Sequence, residues 1–414
     1  MAKSQIYING RFLVQPVSGI QRYAAEIIRA LDETLASGTM DGAASFDWTI
    51  LAPASATLPF PLRAIGFRHV GSWTDHRWDQ ISLMRAARGG RVLSLASSGP
   101  LFHPRQVVVI HDAAVYRHPE HFSRAYRLFH ATAGRLLART ARLATVSNFS
   151  RRELSALLHV PPESIVVAPN GWEHFARLDP DTAAADRLAG ATPFFVAVGN
   201  LTRNKNLTVA IEAFRRLSRG AAKLVIVGRA DARIFGNEPV PEDEGVVFAG
   251  RLDDEAVKGL LQRCKALVFP SFYEGFGIPP LEAMTSGTRV LASRAEAVVE
   301  VCDGVADFFE PTDAARLAEL MAAILSESET VRAARIEAGR QRLARYSWSS
   351  SARALAEAVM DSARSRSRRA APTPSRKENR VLGQSPPARL GGDMAATGAS
   401  AEIQHPPAIH SVSS

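Results

Sequence analysis

Cysteine is nearly absent: only Cys264 and Cys302 occur in 414 residues. Both lie in core-like apolar runs. Two thiols build neither a disulfide framework nor a metal cluster, so a reducing cytoplasm is the expected setting. No apolar run reaches the roughly eighteen residues of a membrane-spanning helix, so no span is expected. The N-terminus enters a strand-like Gln5-Ile-Tyr-Ile8 at once, without the charged and apolar regions of a signal peptide. Zinc-finger spacing and aromatic RNA-binding motifs are missing too, and no nucleic-acid partner is expected. The net charge of +9 does not argue otherwise, because residues 363–414 carry eight Lys/Arg against three Asp/Glu. That stretch is rich in Ser, Pro, Ala, Arg and Gly. It has too little apolar content to offset ordering entropy, and the composition predicts a disordered basic tail.

What remains is apolar and periodic. Hydrophobic residues make up 46% of a chain longer than one core normally serves. Strand-like and helix-like stretches alternate over residues 1–187 and again over 190–362. Phe194-Phe-Val-Ala-Val198, Lys223-Leu-Val-Ile-Val227 and Val246-Val-Phe-Ala-Gly250 are continuous apolar runs. Such runs, separated by helical periodicity as in Leu207–Leu217, predict parallel strands buried on both faces. The fold class is therefore α/β, with two Rossmann-like doubly wound parallel-sheet domains facing a cleft. Ligands of such sheets sit beyond the carboxyl ends of the strands. The loops there begin at Gly199, Gly228, Gly250 and Pro270 and are expected to ring one cleft.

The last of these loops carries the clearest chemistry. Glu274-Gly-Phe-Gly-Ile-Pro-Pro-Leu-Glu282 places two carboxylates at either end of a Gly- and Pro-rich turn, between the strand-like Ala266–Phe269 and a helical run. Gly275 and Gly277 let backbone N–H groups approach a ligand. Pro279 and Pro280 suit a first helical turn, whose orphan donors and dipole favour an anion such as phosphate. The glutamates suit sugar hydroxyls. A phosphate flanked by a polyol describes a nucleotide sugar.

The full string Pro270-Ser-Phe-Tyr-Glu-Gly-Phe-Gly-Ile-Pro-Pro-Leu-Glu-Ala-Met284 resembles the signature of retaining glycosyltransferases of family 4, which have the GT-B fold. The resemblance runs over roughly residues 4–360 and is densest over 194–311. It implies a donor site formed by Glu274, Gly275, Phe276, Gly277, Ile278 and Glu282, with Glu282 on the ribose and Glu274 on the sugar. It also implies that an Arg and a Lys, rather than a metal, neutralise the leaving diphosphate. Lys205 matches the lysine. The arginine position holds Asn204, and Arg203 serves only if its loop turns it inward. The sequence is read as lacking an Asp-x-Asp pair, so no metal and no cofactor are expected. Gly19 matches the glycine loop at the donor phosphates. His111, at the end of Val107–Ile110, matches a donor-sugar contact at the reaction centre. Asp112 is placed beside it, to orient it or take an acceptor hydroxyl, with Asn170 on the same acceptor side. Catalytic roles then fall to His111, Glu274 and Lys205.

The strings Val17–Tyr23, Val109–Phe122 and Glu274–Met284 look most like mannosyltransferase-type members. They imply GDP-mannose as donor and a lipid-linked or oligosaccharide acceptor in polysaccharide biosynthesis. A GT-B-like epimerase and a non-catalytic nucleotide-sugar-binding relative are the alternatives. Residues 121–143 add a basic amphipathic pattern. Phe122, Tyr126, Phe129, Ala133, Leu136 and Leu137 fall on one face, and Arg124, Arg127, Arg135, Arg139 and Arg142 on the other. This suits both packing on the sheet and contact with an anionic membrane surface, on the inner face of the plasma membrane. Trp348 begins a final helical run, which the resemblance implies returns to the first domain with Trp348 as a packing anchor.

Overall fold

In a computed structural model, residues 3–199, 202–228 and 245–362 are described. Their strands form two all-parallel sheets. The first contains β1 (Ser4–Asn9), β2 (Phe46–Ala52), β3 (Gly66–His69), β4 (Arg91–Ser94), β5 (Gln106–Val109), β6 (Arg142–Thr145) and β7 (Val166–Val167), in the order 3-2-1-4-5-6-7. The second contains β8 (Phe194–Val198), β9 (Lys223–Val227), β10 (Val246–Gly250), β11 (Ala266–Phe269), β12 (Arg289–Ser293) and β13 (Asp307–Phe309), in the order 10-9-8-11-12-13. Both orders follow the doubly wound pattern, in which the chain reverses direction beside its first strand. The expected α/β class and paired Rossmann-like sheets are thus present.

Each sheet is built from its most apolar segments. All four residues of β5 and all four of β11 are buried. β1 pairs on both sides, Ser4–Asn9 with Phe46–Leu51 and Ile6–Ile8 with Arg91–Leu93. β8 is likewise flanked by β9 and β11. The crevice in each sheet opens between β1 and β4, and between β8 and β11. Polar groups collect at the first crevice. Asn9 donates to Asp79 at 2.9 Å, and the buried Arg11 pairs with the same carboxylate at 2.9 Å.

Helices cover the faces. The first helix spans Gly19–Ala36. The Trp348–Met360 helix packs on it and reaches β4, β5 and β7. The last element therefore closes on the first sheet. Trp348 is buried there, edge-on to Tyr23 with ring centroids 5.7 Å apart. Among the described residues no helix is long and apolar enough to cross a membrane. The basic helix spans Arg124–Thr140, but only Gly134, Leu137 and Ala138 are buried along it. Its first half leaves Tyr126, Leu128 and Phe129 exposed, with Leu128 at 72%. Packing on the sheet thus accounts for its C-terminal half alone. The tail predicted over 363–414 lies outside the described residues.

Candidate active site

The carboxyl ends of the two sheets meet around a cavity of about 910 Å³. One wall comes from the first turn of the Gly19–Ala36 helix and from the ends of β5 and β7: Gly19, Arg22, His111, Asp112 and Asn170. The other comes from the second sheet: Gly199, Lys205, Gly228, Arg251, Asp254 and the segment Glu274–Pro279 with Glu282. All the sequence-predicted site residues except Arg203 line it.

The Glu274 loop is held in place from both halves. Asn204 donates its Nδ2 to the Tyr273 carbonyl at 2.6 Å, while Phe272 N donates to the Asn204 carbonyl at 2.9 Å. The residue at the expected arginine position therefore builds the loop instead of charging it. Arg203 is a correction to the sequence reading: it is exposed in a short 3-10 turn and does not line the cavity. From the first half, Ser147 Oγ donates to the Gly275 carbonyl at 2.7 Å, and Ser150 Oγ does so at 3.1 Å. A Cβ on Gly275 would lie 2.4 Å from the His111 carbonyl oxygen, so this close docking requires glycine. Gly277 caps the Ile278–Thr285 helix at φ +109°, a conformation that side chains disfavour.

Lys205 and Glu274 form an ion pair, Nζ to Oε1, at 2.6 Å. The ammonium also sits 5.2 Å from the centre of the Phe269 ring, a cation–π distance. Lys205 reaches this place across Gly199, where a Cβ would lie 3.4 Å from the lysine Cε. Helix donors after Gly277 and the Lys205 ammonium thus face one volume, a combination suited to phosphate. Glu282 lies one helical turn further on and is buried.

His111 is buried, and its Nε2 lies 2.9 Å from the Leu95 carbonyl. A carbonyl only accepts, so Nε2 carries the proton and Nδ1 is left as an acceptor. Burial pushes the imidazole down to about 4, against an ordinary 6.5. Tyr23 packs edge-on to the ring at 4.7 Å. The expectation that Asp112 orients His111 is corrected. Asp112 Oδ1 instead accepts from Ala114 N at 2.8 Å, and Leu95 does the orienting. Burial raises the Asp112 carboxyl, and the nearby Glu274 raises it further. Asn170 is buried, and its Oδ1 has no hydrogen-bond partner among the described residues.

Several cavity residues escaped the sequence reading. Arg22 donates to Asp254 at 2.8 Å, tying the first helix to the start of the Asp254–Arg263 helix. Arg251 lines the cavity from an exposed position after β10. Arg22 stands in the Val17–Tyr23 string and Arg251 in the loop that begins at Gly250, but neither carries a spacing signal of its own. The sequence reading of no Asp-x-Asp is also corrected, since Asp179-Pro180-Asp181 is one. It is not part of the cavity lining. Asp181 accepts from Ala183 N at 3.0 Å and pairs with Arg187 at 3.3 Å, a helix-start arrangement. Among the described residues no group of three or more His, Cys, Asp or Glu is placed to hold a metal ion.

Two parallel doubly wound sheets with a carboxylate-flanked cavity between their carboxyl ends define a protein of the GT-B type. A model described as "Glycosyl transferases group 1" matches residues 181–342, and one described as "Glycosyltransferase Family 4" matches residues 50–174. Residues 181–342 thus carry a glycosyl transferases group 1 domain, and residues 50–174 a glycosyltransferase family 4 domain. An uncharacterized glycosyltransferase of Methanocaldococcus jannaschii is 29% identical over 203 residues, 46% of this chain and 52% of that protein. O-antigen chain mannosyltransferase B of Escherichia coli is 26% identical over 237 residues, 52% of this chain and 61% of that protein. The chain thus spans little more than half the length of these curated relatives. Among solved structures, a sucrose-phosphate synthase from Thermosynechococcus elongatus superposes with a TM-score of 0.65. The match has 18% identity and covers 88% of this chain and 100% of that one.

Proposed function

We propose that the protein is a retaining glycosyltransferase that transfers a sugar from a nucleotide-sugar donor to a saccharide acceptor. The observation that carries this reading is the meeting of Lys205, Glu274 and Glu282 in one cavity. GDP-mannose is the donor we favour, supported by the similarity to an O-antigen mannosyltransferase. The acceptor is a lipid-linked or oligosaccharide chain.

In this reading the donor lies along the second sheet. Glu282 accepts hydrogen bonds from the ribose hydroxyls. Glu274 and the backbone donors at Phe276 and Gly277 hold the sugar. As the glycosidic bond breaks, negative charge gathers on the departing diphosphate. Lys205 and the helix N-terminus at Ile278 stabilise it, the kind of preorganised electrostatics that often dominates catalysis. Arg251, which lines the same cavity, takes the place of the family arginine. His111 offers Nδ1 to a sugar hydroxyl, and Asp112 and Asn170 face the acceptor. The attack is from the front face, through an oxocarbenium-like state. The protein's own cations supply the charge, so activity persists in EDTA. The exposed Tyr126, Leu128 and Phe129 beside Arg124 and Arg127 suit an anionic lipid surface, which would present a lipid-linked acceptor.

Incubation with labelled nucleotide sugars and a membrane extract tests the reading. Transfer of one sugar to an extractable lipid or glycan is expected, strongest with GDP-mannose. Glu282→Ala should weaken nucleotide binding. Release of free sugar without transfer, or unchanged nucleotide affinity in that variant, would overturn it.

A further inference from the structure

Behind Glu282 lies a buried chain of side chains that the cavity itself does not include. Glu282 Oε1 is 3.3 Å from His174 Nε2, and His174 Nδ1 is 3.1 Å from Trp348 Nε1. All three side chains are buried. An indole N–H can only donate, so His174 Nδ1 must accept. The ring then carries its proton on Nε2 and donates it to Glu282. One carboxylate oxygen is thereby taken. The other, Oε2, has no protein hydrogen-bond partner among the described residues, although Glu282 lines the cavity.

Trp348 is itself fixed by the segment that carries His174. The Glu173 carboxylate accepts from Trp348 N at 3.1 and 3.3 Å and from Trp172 N at 2.9 Å. Ser351 Oγ donates to the Pro169 carbonyl at 2.7 Å. A Cβ on Gly171 would lie 2.4 Å from Trp348 N, so the helix start can seat here only against glycine. The segment Gly171-Trp-Glu-His174 thus joins the returning helix to the acid in the cavity.

We propose that His174 is a positioning residue for the donor, holding Glu282 in one orientation while Trp348 holds His174 in one tautomer. The seating of the last helix is thereby coupled to the grip on the nucleotide. The inference rests on reading Glu282 as the acid that meets the donor ribose. Without His174, Glu282 could turn away, and the nucleotide would have to reorder it on binding. Without the indole N–H, the proton could move to Nδ1, leaving Nε2 facing the carboxylate as an acceptor.

Calorimetric titration of the full chain with GDP and with UDP tests the proposal. His174→Ala should weaken the better nucleotide by about tenfold, the scale of one hydrogen bond to a charged group. His174→Gln should restore most of that loss, because its amide can donate to Glu282 and accept from Trp348. Trp348→Phe keeps the ring but not the N–H, and should weaken binding while the protein melts close to wild type. In a Glu282→Ala background, adding His174→Ala should change nothing further. Wild-type affinity in both folded His174→Ala and Trp348→Phe would overturn the proposal, as would a further loss in the double variant. If the wild type binds neither nucleotide, the donor-site reading falls and takes the proposal with it. If His174→Ala fails to fold, Trp348→Phe and His174→Gln decide the matter.

Discussion

Single residues divide the cavity's charge unequally. Lys205 contacts Glu274 at 2.6 Å, whereas Arg203, two positions earlier in the same turn, points to solvent. Lys205→Ala should lower kcat by about a hundredfold or more, as loss of one preorganised stabilising group does elsewhere. Arg203→Ala should stay within about twofold, since exposed charges contribute little. Steady-state kinetics of the two variants checks both. His111 makes a pH prediction. The unfolded chain takes up the imidazole proton below about pH 6.5, but the folded chain only near 4. The contribution to stability is therefore fully present above pH 6.5 and is lost as pH falls toward 4. Melting temperature should drop more steeply across that window in wild type than in His111→Gln. If His111 Nδ1 accepts a sugar hydroxyl, kcat should show no acidic limb near pH 6.5.

At the scale of elements, the loop–helix unit Glu274–Thr285 is set by glycines and prolines that are visible in the chain itself. Gly275→Ala would press a methyl group against the His111 carbonyl, and should cost both stability and turnover. The Arg124–Thr140 helix behaves differently. Its periodicity suggested a packed face, yet its first half is exposed and only Gly134, Leu137 and Ala138 are buried along it. Replacing Leu128 and Phe129 with Ser should abolish sedimentation with phosphatidylglycerol vesicles and leave melting unchanged. Retained binding would refute the lipid-surface reading.

At the scale of the molecule, the two sheets are joined by a few polar clamps. The Glu300 carboxylate, on the second half, accepts from Asn148 N at 2.8 Å and from Phe149 N at 2.8 Å on the first. It thereby occupies the N-terminal donors of the Asn148–Leu158 helix, where a negative charge is stabilising. Glu300→Ala should loosen the seam and raise the donor KM. It should also lower the melting temperature by a few degrees, on a scale of about 1 kcal/mol for a lost cap. Arg22 with Asp254 makes a second clamp at the cavity rim.

Local pattern determined much by itself. Apolar runs fixed β8, β9 and β11, because a strand buried on both faces leaves a composition that few other structures tolerate, whereas β10, expected to be buried alike, is a half-buried edge strand. The Glu274–Glu282 string marked a ligand loop, because its glycines and prolines answer to backbone geometry within a few residues. Tertiary structure alone decided which cations face the cavity, since one residue's shift along a turn sends Arg203 outward and Asn204 inward. It alone decided that Leu95, not Asp112, orients His111. It alone joined Trp348 to His174 and His174 to Glu282, contacts that span 174 and 108 positions of the chain. Such contacts depend on three helices converging from separate parts of the chain, and no spacing along the chain encodes that convergence.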